Sequence, residues 1–397
     1  MGVYLDWAAT APMDPGVADY LREVALGVGG NPSSIHSFGE AARALLEESR
    51  LACAGILGCE PSRLFFTSGG SESNNIVFSS FLRRARPGHV VTSAVEHSAV
   101  YEPSRVLEKF GWRVSRVGPG RGGRIGAEEV AAALAPDTAL VSVMLVNNET
   151  GMIQPLKEIA AAVRAFERGR DSGGPPRCRG IHIHTDAVQA AGKIPFSLKD
   201  LGVDSLSLSA HKFRGPRGVG ILALSPTGSG LEPVYVGGGQ ERGMRPGTEN
   251  VAGIAAMARA LGLAHRDIEK NHARAQGLMD ILFRAMEGCG HCRILPECRL
   301  PHPDWYSPYI ASLAFPPVPG EVLVRVMNDR GYAVSTGSAC SARKKKDTRV
   351  IEGTGVSKKT AFSSVRVSIG PATGEEEIRA FARDLMEEAA ILFKTAS

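Results

Sequence analysis

Short apolar runs alternate with amphipathic helical stretches from about residue 36 to residue 265, and this alternation restricts the chain to few architectures. Glu40 to Leu57 carries Ala44, Leu45, Ala52 and Ile56 at helical spacing with charges between them. Leu64-Phe65-Phe66 reads as a short strand and Asn74 to Arg84 as a helix. His89 to Thr92 and Ala139 to Leu145 read as buried strands, with a helix from Ile159 to Glu167 before another strand at Ile181. Strands linked through helices pair in parallel, with helices on both faces of the sheet. The expected class is therefore α/β.

A different pattern follows. Glycine and proline cluster at Val236-Gly237-Gly238-Gly239-Gln240 and Arg245-Pro246-Gly247, before a long helical region from Val251 to Met286. Beyond a Pro-rich loop (Leu300 to Pro308), strands at Ile310 to Phe315 and Tyr332 to Val334 bracket a helix from Glu321 to Asp329. A last helix starts at Glu375. This reads as a smaller α+β unit. With 397 residues, two domains are expected: residues 13–262, and residues 1–12 with 263–397. The stretch Gly169 to Gly180 reads as a surface loop insertion.

Composition narrows the class of function. The net charge of +5 comes from interspersed charges and offers no basic stripe for nucleic acid; the one exception is Arg343-Lys344-Lys345-Lys346. The N-terminus lacks the pattern of a signal peptide, and no apolar run is long enough to span a membrane. Seven scattered cysteines fit free thiols in a reducing cytoplasm better than a disulfide framework.

Two strand ends carry the most telling pair. Asp186 follows Gly180 to Ile183, and Lys212 follows Val203 to Leu208, twenty-six residues later. Neighbouring strands would bring both side chains to one sheet edge. That suits pyridoxal phosphate: a lysine amine bonds the coenzyme covalently, and an acid keeps its ring nitrogen protonated so the ring accepts electrons. Phe66-Thr67-Ser68-Gly69-Gly70-Ser71-Glu72-Ser73-Asn74 lies between a strand and a helix. It reads as a glycine-rich turn with Ser and Asn caps or, beside Asp186 and Lys212, as a phosphate site at a helix start.

Other candidates lie at further element ends. His97 follows a strand, where its ring would face the crevice, stack on a cofactor and transfer protons. Asn147-Asn148-Glu149-Thr150-Gly151 is either a polar turn or a source of a cofactor contact. Cys340 sits in the small-residue loop Ser335 to Ser341, and the cationic run after it favours the reactive thiolate; a structural thiol is the alternative. That run itself reads as a solvated loop or a docking patch for an acidic partner. Arg366 lies within an alternating strand and would pair with an acid or fork onto a substrate carboxylate. Cys289, His291, Cys292 and Cys298 lack a second ligand pair at zinc-site spacing, so no metal site is expected.

Taken together, these segments resemble the cysteine desulfurases, the NifS-type branch of the class V aminotransferases. The resemblance spans nearly the whole chain. It rests on Tyr4-Leu5-Asp6, Gly30-Asn31-Pro32-Ser33-Ser34, Thr67 to Asn74, Glu96-His97 and Val146 to Glu149. Asp186 to Gln189, Ser209-Ala210-His211-Lys212, Gly243 to Thr248 and Gly337-Ser338-Ala339-Cys340 complete it. It implies the pyridoxal-phosphate-dependent transferase fold, of the aspartate aminotransferase type, in a homodimer.

The resemblance also implies roles. Lys212 would be the Schiff-base lysine, Asp186 the ring-nitrogen partner, His97 the stacking residue and Gln189 the partner of the ring hydroxyl. Gly70, Ser71, Ser209 and His211 would hold the phosphate, with Thr248 from the neighbouring subunit. Asn148 and Arg366 would hold the carboxylate of L-cysteine, with Asn148 also at the cofactor. Cys340 would take the sulfur as a persulfide, releasing alanine, and pass it to a protein such as an iron–sulfur scaffold. Selenocysteine lyase, a plain aminotransferase and a non-enzymatic sulfur carrier on the same fold are the alternatives. The basic run after Cys340, the short C-terminal tail and the Gly169 to Gly180 loop depart from the family pattern and bear on partner choice.

Overall fold

The computed structural model describes residues 2–171, 180–228, 230–337 and 348–396. In chain order its strands are β1 (Val3–Tyr4), β2 (Leu64–Thr67), β3 (His89–Ser93), β4 (Arg113–Val117), β5 (Thr138–Ser142), β6 (His182–Asp186), β7 (Ser205–Ser209), β8 (Gly220–Leu224), β9 (Arg293–Leu295), β10 (Ile310–Ala314), β11 (Tyr332–Ala333) and β12 (Ser364–Ser368).

Seven strands form the main sheet in the order β2-β8-β7-β6-β5-β3-β4. Pairing is parallel from β7 through β4, while β8 runs antiparallel to both β7 and β2. Residues 210–219 between β7 and β8 contain only a single 3-10 turn. So short a link cannot build a helical crossover, and the strand reverses. The α/β class with a mostly parallel sheet is as expected.

The strands β6 (His-Ile-His-Thr-Asp) and β7 (Ser-Leu-Ser-Leu-Ser) alternate as if one face met water, yet every residue in both is buried. Their polar face lies under the helix Gly70–Leu82. Asn74 of that helix bonds His184, and the Phe81 ring meets His182 edge-on at 6.4 Å. A polar stripe buried this way is stable only if each group bonds internally.

The described apolar residues segregate. One set of clusters covers the two faces of the seven-stranded sheet. Another joins Leu5 and Ala8 to the β9–β10–β12 antiparallel sheet and to residues of the helices Ile268–Glu287, Gly320–Asp329 and Glu375–Ala396. The N-terminal strand β1 pairs with β11, tying the chain start to this second core.

Three expectations need correction. The helical region from Val251 is two helices, Val251–Arg266 and Ile268–Glu287, with a bend at Asp267. The bend sends Ile254, Met257 and Leu261 into the first core and Leu278, Leu282 and Phe283 into the second. The strand expected to reach Leu145 leaves its regular ladder after Ser142, although Leu145 N–H still donates to Asp186 O at 2.9 Å. Gly169 lies inside the helix Leu156–Asp171 and does not open a loop; residues 172–179 lie outside the described part.

Candidate active site

A cavity of about 210 Å³ opens at the C-terminal edge of the main sheet, where α/β folds place their ligands. Asp186 ends β6, Ser209 ends β7 and His211 and Lys212 follow it. His97 arrives after β3 and Asn148 after β5, while Gly70 and Ser71 open the helix after β2. Ala8 and Ala9 from the N-terminal segment and Arg366 from β12 complete the wall, so the second core closes the site from outside the sheet.

Both oxygens of Asp186 are engaged. Oδ1 accepts the Val188 N–H at 3.0 Å and Oδ2 accepts Asn74 Nδ2 at 2.8 Å. Asn74 Oδ1 in turn lies 2.9 Å from His184 Nε2, and His184 Nδ1 lies 2.7 Å from Ser205 Oγ. Burial, reinforced by the neighbouring His182, pushes the His184 pKa down to about 3, so this ring is neutral.

Lys212 Nζ donates to Ala8 O at 2.6 Å and Ala9 O at 2.8 Å. Gln189 Nε2 donates to the same Ala8 carbonyl at 2.9 Å. Gln189 Oε1 is held by the buried Lys193 Nζ at 2.7 Å. The N-terminal segment is thus clamped by the side chains that its own carbonyls help to orient.

The helix Gly70–Leu82 points its N-terminus at the cavity. Gly69 caps it at φ 148° without a side-chain bond, and the first N–H groups of a helix have no intrahelical acceptor. Gly70 permits a close approach: a Cβ there would sit 2.5 Å from Val188 Cγ2. An anion is the complement of such an end. His211 contributes Nδ1 near Thr10 Oγ1 at 3.1 Å, and burial lowers its pKa to about 4.

His97 caps the helix Ser98–Lys109, with Nδ1 accepting the Ala99 N–H at 3.1 Å. Burial holds its pKa below the ordinary value, with Asp186 opposing, so the neutral ring carries its proton on Nε2. Arg366 is committed in part: Nη1 donates to Asn148 O at 2.8 Å and Nη2 pairs with Asp6 Oδ1 at 2.9 Å. Its Nε is buried without a partner among the described residues, as is Asn148 Oδ1. A buried polar atom of this kind can be met by a ligand group or by water.

The cavity therefore gathers Lys212, Asp186, Gln189, His97, Gly70, Ser71, Ser209, His211, Asn148 and Arg366. Thr248 is exposed and does not line it. Cys340 and Arg343 to Lys346 lie outside the described residues. No group of three or more His, Cys, Asp or Glu among the described residues is arranged to hold a metal. Sequence reasoning did not single out Asn74, His184 or Lys193. A signal existed: Asn74 is one helical turn after Gly70, and His184 shares a strand face with Asp186.

This arrangement can anchor an aldehyde cofactor by an amine, pair its ring nitrogen with a carboxylate and hold its phosphate on a helix end. Residues 3–381 match the aminotransferase class-V family model. The cysteine desulfurase IscS of Dictyoglomus turgidum is 36% identical over 100% of this chain and 96% of its own. A solved NifS-like protein superposes with a TM-score of 0.88 at 33% identity, covering 98% of this chain and 100% of that one. A structure described as SspA in complex with cysteine gives a TM-score of 0.77 at 30% identity, covering 94% and 100%. The chain belongs to the aminotransferase class-V family, in its NifS/IscS-like cysteine desulfurase branch.

Proposed function

We propose that the protein is a pyridoxal-phosphate-dependent cysteine desulfurase, converting L-cysteine to L-alanine and taking the sulfur onto Cys340 as a persulfide. The observation that carries this reading is the single cavity lined by Lys212, Asp186, Gln189, His97 and the N-terminus of the helix Gly70–Leu82. Pyridoxal phosphate, when bound, supplies an electron sink for negative charge at the substrate Cα. Lys212 would anchor it through its amine and would be the base for the Cα proton. Asp186 would pair with the ring nitrogen, Gln189 with the ring hydroxyl, His97 would stack on the ring, and Asn148 would serve the cofactor and the substrate carboxylate. Gly70, Ser71, Ser209 and His211 would hold the phosphate.

Arg366 receives the substrate carboxylate through its unpartnered Nε and remaining hydrogens, while Asp6 and the Asn148 carbonyl hold the guanidinium plane. The Cys340 thiolate attacks the substrate sulfur. A sulfur–sulfur bond forms, the carbon–sulfur bond breaks, and its electron pair stays with the carbon skeleton that is protonated to alanine. His97 relays protons through Nε2.

We take residues 13–262 as the cofactor domain and residues 1–12 with 263–397 as the small domain, a division supported by the segregated apolar cores. A homodimer is supported by apolar side chains left outside: Ile35 is 94% exposed, Phe38 69% and Val236 78%. Thr248, exposed in one chain, would then reach a partner's phosphate site. The sulfur passes on to an acceptor protein such as an iron–sulfur scaffold. A cytoplasmic setting fits the free thiols Cys53, Cys59, Cys289, Cys292 and Cys298, and no described helix is long and apolar enough to cross a membrane.

The test is mass spectrometry after brief exposure to L-cysteine. One added sulfur on the Cys340 peptide with equimolar alanine is expected. Turnover that survives Cys340→Ala would remove Cys340 from the reaction, and borohydride trapping at a lysine other than Lys212 would overturn the whole scheme.

A further inference from the structure

We propose that Asn74, His184, Ser205 and His182 form a one-way hydrogen-bond chain that orients the Asp186 carboxylate, with Asn74 and His184 as positioning residues for the cofactor's ring nitrogen. The geometry exists without the cofactor; its consequence rests on the pyridoxal phosphate reading above.

The direction of every bond follows from the Asp186 end. An ionised carboxylate only accepts, so Asn74 must turn Nδ2 toward Asp186 Oδ2, at 2.8 Å. That leaves Asn74 Oδ1, an acceptor, facing His184 Nε2 at 2.9 Å, so Nε2 carries the ring proton. A neutral ring with its proton there must accept at Nδ1; Ser205 Oγ lies 2.7 Å from that atom, so its hydroxyl donates. The Ser205 oxygen, having given its hydrogen, accepts from His182 Nε2 at 2.8 Å. Four consecutive bonds thus point one way, from His182 to Asp186.

The chain explains why β6 and β7 alternate polar residues inside a buried sheet. His182, His184 and Asp186 share one face of β6, and Ser205 sits opposite His184 in the register. Burial keeps both histidines neutral: His182 falls to about 4, chiefly by desolvation, and His184 lower still. A fixed tautomer is what a directed chain requires. Asn74 comes from the helix whose N-terminus faces the cavity, so one helix both presents the anion site and aims the carboxylate.

The test begins on the unmodified protein without cofactor, labelled with 15N-histidine. Long-range proton–nitrogen NMR is expected to show His182 and His184 both neutral with the proton on Nε2 from about pH 6 to 8. A ring protonated on both nitrogens, or on Nδ1 alone, overturns the chain. The second arm compares the parent with Asn74→Ala for pyridoxal phosphate affinity and for the visible spectrum of the bound cofactor. Loss of one buried bond to a charged group predicts affinity weaker by roughly tenfold or more and a shifted absorption band. A lower melting temperature with unchanged affinity and spectrum would mean Asn74 only packs, and overturns its positioning role. A parent that binds no pyridoxal phosphate overturns the proposed function, while the histidine tautomers still decide the chain.

Discussion

Lys193 Nζ donates to Gln189 Oε1 at 2.7 Å beneath the cavity, and the lysine is 7% exposed. Burial, then the charges of Lys212 and Arg366, brings its pKa down to about 7. A base with a depressed folded pKa contributes stability that is present above its unfolded value, near 10.4, and is lost as pH falls toward 7. Lys193→Met forfeits the bond to Gln189 yet escapes that loss. Urea midpoints of the cofactor-free protein from about pH 10 to 7 should show the parent's slope flattened in the variant, by on the order of 1 kcal/mol or more. Parallel slopes would sink the prediction.

Glu96 has the opposite sign. It is fully buried, its Oε1 accepts the Met144 N–H at 2.8 Å and its Oε2 has no partner among the described residues. Burial pushes its pKa up to about 8, with the bonds from Ser93 and Met144 opposing. An acid with a raised folded pKa contributes stability present below its unfolded value, near 4.3, that drains away as pH rises to about 8. Glu96→Gln keeps the shape without the charge, so thermal unfolding should show it gaining on the parent between about pH 5 and 8. Equal pH slopes would show that Glu96 ionises freely.

Arg366 and Asp6 separate binding from support. Arg366→Lys loses the planar fork, and kcat/KM for cysteine should fall roughly 10- to 100-fold, mostly through KM. Asp6→Asn leaves the fork but removes its ion pair at 2.9 Å. The melting temperature should fall while KM moves less than in Arg366→Lys. Identical KM shifts in both variants would show that the Asp6 pair, not the guanidinium shape, sets affinity.

Gly70→Ala tests the close approach at the helix start. The new methyl would lie 2.5 Å from Val188 Cγ2, so the Val188 side chain, the helix or the Asp186–Gln189 turn must give. Such overpacking costs about 1–3 kcal/mol. Fluorescence titration should show pyridoxal phosphate bound at least several-fold more weakly. Parent-like affinity would indicate that the helix N-terminus is not the phosphate seat.

Much of the cavity was legible from strand ends. Asp186, Lys212, His97 and Asn148 each end or follow a strand-like run, and a parallel sheet sends such ends to one edge; Ser209 came only with the family resemblance. Ala8 and Ala9 were not legible in this role, because two alanines carry no chemical signature. They matter through backbone carbonyls that accept from Lys212. Lys193 hid for a similar reason: a lysine after Gly192 reads as a surface residue until burial is known. Part of Arg366 was foreseen. Its place in a strand suggested an acid partner or a carboxylate fork, and the structure supplies Asp6 while leaving Nε open.

From order along the chain alone came the α/β class, the edge at which ligands gather and most of the ionisable side chains found there. Those are local properties, set by apolar periodicity and by which residue ends each run. Only the tertiary structure decided that β6 and β7 bury their polar faces, that Asn74 reaches Asp186 and that the N-terminal segment closes over Lys212. Each of these depends on contacts between segments more than a hundred residues apart, 112 for Asn74 with Asp186 and 204 for Ala8 with Lys212, and no local pattern encodes a distance of that kind.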